Sequence, residues 1–117
     1  MGKLKSSKNI ESLPKTISRL APTPSGYLHL GNAFSFILTW LLVRRLEGKL
    51  QLRIDDLDSA RLKRDCLEDI FLQLEWLGLE YDSGPQGPEE HLKHYSQTLK
   101  IEDYREALSS LRELRSL

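Results

Sequence analysis

Fourteen residues, Arg19-Leu-Ala-Pro-Thr-Pro-Ser-Gly-Tyr-Leu-His-Leu-Gly-Asn32, constrain this chain more than any others. A β-branched, alternating stretch, Thr16-Ile-Ser-Arg-Leu-Ala21, enters them, and a long apolar run from Asn32 to Leu46 leaves them. Pro22 and Pro24 fix φ, while Gly26 and Gly31 leave the backbone open to close approach. The pattern predicts a strand, a tight turn and a helix start with an imidazole, His29, at its mouth. Unpaired N–H groups and partial positive charge at a helix start suit a phosphate. We expect a nucleotide-phosphate site there.

The run after Asn32 is apolar almost all round, too long for a strand and too short for a membrane span. It reads as a buried helix that Gly48 terminates, apolar on both sides and so expected to expose surface for a missing partner when that partner is absent. Lys49-Leu-Gln-Leu-Arg-Ile54 alternates, with Leu50, Leu52 and Ile54 on one face, and predicts a second strand. Strand, helix, strand is a βαβ unit, expected to be parallel with a right-handed crossover. Its two strands would then bring Arg19–Thr23 and Asp55–Asp58 to one sheet edge, the edge that holds ligands in open α/β sheets. Leu67, Ile70, Phe71, Leu74 and Leu77 follow helical spacing up to Gly78. Residues 80–90, with Gly84-Pro85 and Gly87-Pro88, read as a loop. Ser96 can cap a last helix striped by Tyr104, Ala107, Leu108, Leu111 and Leu114; these residues and Trp76 are expected in the core.

Lys plus Arg and Asp plus Glu both number 17, so the chain does not hold nucleic acid by bulk charge. The lone Cys66 reads as buried filler in a reducing, cytoplasmic setting. His91 and His94, even with Cys66, lack the spacing of a metal site, and no metal is assigned. Residues 1–15 are Lys- and Ser-rich, without a signal peptide, and read as a flexible basic tail. Their Met1-Gly2…Ser6 start fits a loose myristoylation pattern but reads as an ordinary beginning.

Pro24-Ser-Gly-Tyr-Leu-His-Leu-Gly-Asn-Ala33 resembles the HIGH signature of class I aminoacyl-tRNA synthetases. The longer run from Arg19 resembles the glutamate-activating branch, R-F-A-P-S-P-T-G-Y-L-H-I-G. A second block, Leu52-Arg-Ile-Asp-Asp-Leu-Asp-Ser-Ala-Arg61, resembles L-R-I-E-D-T-D of glutamyl-tRNA synthetases and L-R-I-E-D-L-D-P-P-R of glutamyl-queuosine tRNA(Asp) synthetases. Leu57 and Arg61 match the latter.

The resemblance implies an α/β, Rossmann-type HUP half-domain over residues 16–117, a βαβ unit with additional helices. It implies ATP, with accompanying Mg2+, at Pro24, Gly26, His29, Gly31 and Asn32, with His29 and Asn32 catalytic. L-glutamate would lie at Arg19, Ala21, Thr23 and Asp55. Two departures stand out: Asn32 replaces the second His, and Asp55 replaces a Glu one methylene longer. A complete member continues into an acceptor-stem insertion, a second Rossmann half and a K-M-S-K-S-like loop. The chain is therefore expected to be an N-terminal part, meeting tRNA through regions it lacks. Self-association, or a partner supplying the second half, is expected, and no membrane. The alternatives are a non-catalytic remnant or partner-binding subunit, and a small H-x-G-H nucleotidyltransferase.

Overall fold

A computed structural model describes residues 16–115; the tail and the last two residues lie outside it. Strand β1 (Ile17–Leu20) is followed by helix α1 (Leu30–Arg45) and strand β2 (Lys49–Leu52). A 3-10 turn over Ser59–Arg61 leads to helix α2 (Arg64–Leu77). Short helical turns over Pro88–Glu90, His91–Tyr95 and Gln97–Lys100 then run into helix α3 (Ile101–Arg115). The strands are parallel, Ile17 opposite Lys49 and Leu20 opposite Leu52, so the expected βαβ unit forms.

The alternation in β2 works as its period demands: Leu50 and Leu52 are buried with Ile54 beyond them, while Lys49 and Gln51 are exposed. Those side chains meet Leu67, Ile70 and Leu74 of α2, Phe36 and Val43 of α1, and Leu20 of β1 in one core. Cys66 is buried, as its neighbourhood suggested. Helix α2 ends where expected, with Gly78 in the left-handed region at φ 70°.

The ends of α1 differ from expectation. The helix begins two residues early, at Leu30, because His29 caps it. It stops at Arg45, and the left-handed residue after it is Glu47, at φ 53°, not Gly48. Gly48 serves another purpose: a Cβ there would stand 2.3 Å from the Thr16 carbonyl oxygen. That carbonyl accepts the Lys49 N–H at 2.8 Å and starts the sheet, so only glycine lets the two chains close.

The segment read as a loop adds a third, minimal partner to β2. Ser83 bridges Gln51 in parallel fashion, its carbonyl accepting the Leu52 N–H at 2.9 Å. The Asp82 carboxylate accepts the Leu50 N–H at 2.7 Å and Arg44 of α1 at 2.9 Å. These two donors hold its carboxyl below the ordinary carboxylate value. Strand β2 is thus paired on both edges, and β1 on one only among the described residues.

Three expectations about burial are corrected. Of α1, only Phe36 and Val43 are buried; Leu30 is 86% and Phe34 70% exposed. The stripe of α3 faces solvent throughout, and Trp76 is 81% exposed. A single layer of helices on a two-stranded sheet covers one side of each element, and an apolar second side stays bare.

Candidate active site

Past the regular strands, the two sequence blocks stay zipped together. The Arg53 N–H donates to the Leu20 carbonyl at 2.8 Å, and the Asp55 N–H to the Pro22 carbonyl at 2.9 Å. The Lys63 N–H then reaches the Pro24 carbonyl at 3.1 Å. Thr23, Pro24, Ser25 and Asp55 consequently line one hollow of about 90 Å3, together with Asp56, Asp58, Arg61 and Leu62. The Pro24 ring is fully buried, so it offers a ligand the set of the turn and not a surface.

The helix mouth is built by its own residues. His29 Nδ1 accepts the Gly31 N–H at 3.1 Å, and the Asn32 side-chain oxygen accepts the His29 N–H at 3.1 Å, a reciprocal capping box. A Cβ on Gly31 would come within 2.9 Å of the imidazole, so glycine is what lets the ring lie there. Asn32 acts here through its amide oxygen, a role that needs no positive charge. His29 is an exposed residue, and its Nε2 has no partner among the described residues. Nothing stands within 4 Å of a Cβ at Gly26, so the turn is open at that point.

His29 also lines a separate cleft of about 230 Å3 with Leu28, Leu30, Phe36 and Trp76. Arg19, Ala21, Gly26, Gly31 and Asn32 line neither hollow. Arg19 is exposed at the C-terminal end of β1, with no ion-pair partner among the described residues. Asp55 is held: Arg53 donates to its two oxygens at 2.7 and 3.2 Å. Asp58 pairs loosely with Arg61 at 3.7 Å in the open, a contact of little energetic weight.

Asp56, absent from the sequence-based set, anchors the site. It is 3% exposed. His91 Nε2 lies 2.7 Å from Asp56 Oδ2, the Ser96 hydroxyl donates to the same oxygen at 2.7 Å, and the Gln97 N–H donates to Oδ1 at 2.8 Å. A carboxylate can only accept, so the His91 proton is on Nε2, and Nδ1 is left buried without a partner. Burial alone would raise the Asp56 carboxyl; Ser96, Gln97 and His91 outweigh it and hold the group below its ordinary 3.8. Strand alternation carried the missing signal. Ile54 points inward and Asp55 outward, so Asp56 must point inward, and a buried carboxylate must find donors. Ser96 still caps, as expected, but it caps the Gln97–Lys100 turn that precedes α3.

Residues 15–111 match the profile of the family described as tRNA synthetases class I (E and Q), catalytic domain. The chain belongs to this family. Among relatives, it is 47% identical over 93 residues to the glutamyl-Q tRNA(Asp) synthetase of Symbiobacterium thermophilum, covering 80% of this chain and 28% of that protein. The glutamate–tRNA ligase of Burkholderia thailandensis is 36% identical over 96 residues, 82% of this chain and 19% of the ligase. A crystal structure of a glutamate tRNA ligase from Elizabethkingia meningosepticum, in complex with its amino acid, superposes with a TM-score of 0.69 at 30% identity. That match covers 85% of this chain and 20% of the ligase. The chain thus spans between about a fifth and three-tenths of these class I synthetases. No described helix is long and apolar enough to cross a membrane.

Proposed function

We propose that this chain is the N-terminal part of the catalytic domain of a glutamate-activating class I synthetase, a Rossmann-type HUP half-domain over residues 16–117 behind a basic tail. The observation that carries the proposal is the pairing of Asp55 N–H with the Pro22 carbonyl, which joins the two family blocks at one sheet edge beside a helix start. Adenylate formation needs a carboxylate to attack the α-phosphorus of ATP while pyrophosphate leaves. Little proton transfer is involved, so orientation and charge stabilisation carry the rate. Donors and a bare backbone suit that chemistry better than an acid–base pair.

In this scheme the ATP phosphates lie over Gly26, Gly31 and the α1 start, with His29 Nε2 as the side-chain contact and Asn32 fixing the His29 backbone. Mg2+ arrives with the nucleotide. Arg19 grips the glutamate side-chain carboxylate, Ala21 and Thr23 flank it, and Asp55 receives the α-amino group. The tRNA is met by parts of the protein beyond this chain, which works in the cytoplasm, and the bare faces of α1 and α3 receive those parts or a partner. Leu57 and Arg61 favour the glutamyl-queuosine branch.

The test is a chimaera in which residues 15–111 replace the matching segment of the Symbiobacterium thermophilum relative, assayed by amino-acid-dependent pyrophosphate exchange. Exchange should require glutamate and ignore glutamine. His29→Ala should cut it about a hundredfold, the size of losing one transition-state contact. Arg19→Ala should raise the glutamate requirement while leaving the ATP requirement within about twofold, since only the amino acid loses a charged hydrogen bond. Full activity after His29→Ala, or equal effects of Arg19→Ala on both substrates, would remove these roles.

A further inference from the structure

We propose that Gln97 is a positioning residue that fixes the orientation of Asp55 for the substrate's amine; this deepens the glutamate proposal and rests on it. Asp55 lies three residues past the end of β2, where Arg53, two residues before it, holds it. That hold comes from a near neighbour on a partly exposed side chain, and by itself it does not tie Asp55 to the rest of the fold. A second hold comes from far along the chain: Gln97 Nε2 donates to Asp55 Oδ1 at 3.3 Å.

The other end of the Gln97 amide is also used. Its oxygen accepts the Leu57 N–H at 3.1 Å. This acceptor role fixes which way the amide faces, since a backbone N–H can only donate, and it turns the NH2 group toward Asp55. The position therefore needs one acceptor and one donor on the same short side chain. A carboxylate would satisfy Leu57 and repel Asp55; an apolar chain would satisfy neither.

Gln97 is itself placed by a firm anchor. Its backbone N–H donates to buried Asp56, which His91 and Ser96 also bind, both buried. Any substitution at 97 other than proline keeps that backbone bond, so the side-chain clamp can be removed without dismantling the anchor. The two neighbouring acids divide the work: buried Asp56 ties residues 91–97 to the sheet edge, and the less buried Asp55 takes the amide that this tie delivers.

Two measurements test the clamp. In the 117-residue chain, NMR couplings of the Asp55 methylene protons should report one rotamer, and Gln97→Met should average them while backbone amide shifts of β1 and β2 stay in place. In the chimaera, Gln97→Met should raise the glutamate requirement about five- to tenfold, as expected for the net loss of one ordinary hydrogen bond, with the ATP requirement within about twofold. Gln97→Glu should raise it further, through repulsion of Asp55. An Asp55 rotamer indifferent to Gln97→Met overturns the clamp whatever the activity. Equal rises for both substrates, or an unchanged glutamate requirement, overturn the positioning role. Absence of glutamate-dependent exchange in the unsubstituted chimaera overturns the functional proposal, and the positioning role falls with it while the coupling data still decide the clamp.

Discussion

Asp56→Ala should unfold this chain or leave it barely folded. The substitution strips the acceptor from buried His91 and from the Gln97 N–H, and one of the bonds of buried Ser96, all converging on one carboxylate. Each buried donor left unsatisfied costs about 1–3 kcal/mol, against a total of about 5–15 kcal/mol for an ordinary domain. The same carboxylate sets an acid limit. Its folded-state value lies below its ordinary one, so the stability it contributes is complete above the ordinary value and is lost as pH falls through the folded value. The unsubstituted chain should therefore lose stability below about pH 4. Asp56→Asn should be weaker at neutral pH and show a flatter acid limb. Urea denaturation at a series of pH values checks both, and an Ala variant melting within about 2 °C of the parent would refute the anchor.

Gly84→Ala should be the most damaging of the single-methyl additions. Its φ of 118° lies where side chains strain the backbone, and its Cβ would sit 2.4 Å from the Leu52 carbonyl oxygen. Strain and overpacking each cost about 1–3 kcal/mol. Because the obstacle is backbone, relief requires Asp82–Gly84 to lift off β2, breaking the Leu52–Ser83 and Asp82–Leu50 bonds. Amide exchange at Leu52 and Asp82 should quicken together. Gly87→Ala is the control: nothing lies within 4 Å of its Cβ, and its φ of −170° is ordinary extended backbone. It should change stability by about 0.5 kcal/mol or less.

The parts of the fold legible in advance were those with a period or a stop. Alternation in Thr16–Ala21 and Lys49–Ile54, the long apolar run after Asn32 and Gly78 located both strands and two helices, because each reflects a local repeat or a backbone conformation. The Ser83 bridge was hidden because Gly84 and Pro85 look like loop residues whether or not a strand lies beside them. Trp76 and the α3 stripe misled for a different reason. Periodicity reveals which residues share a face, while burial depends on what else arrives to cover it. At the site, Arg19, Thr23, His29 and Asp55 stood out through their neighbours in sequence. Gln97 and Asp56 did not, since their meaning lies in contacts spanning 41 or 42 positions.

The reciprocal cap at His29 bears on how such a signature can change over time. Replacing His29 strips the Gly31 N–H of its acceptor; replacing Gly31 pushes the imidazole away; replacing Asn32 frees the His29 N–H. Each single step is harmful, and the harm of a second is partly contained in the first. The three residues therefore work as one unit, and the cost of changing two of them falls short of the sum of the single costs.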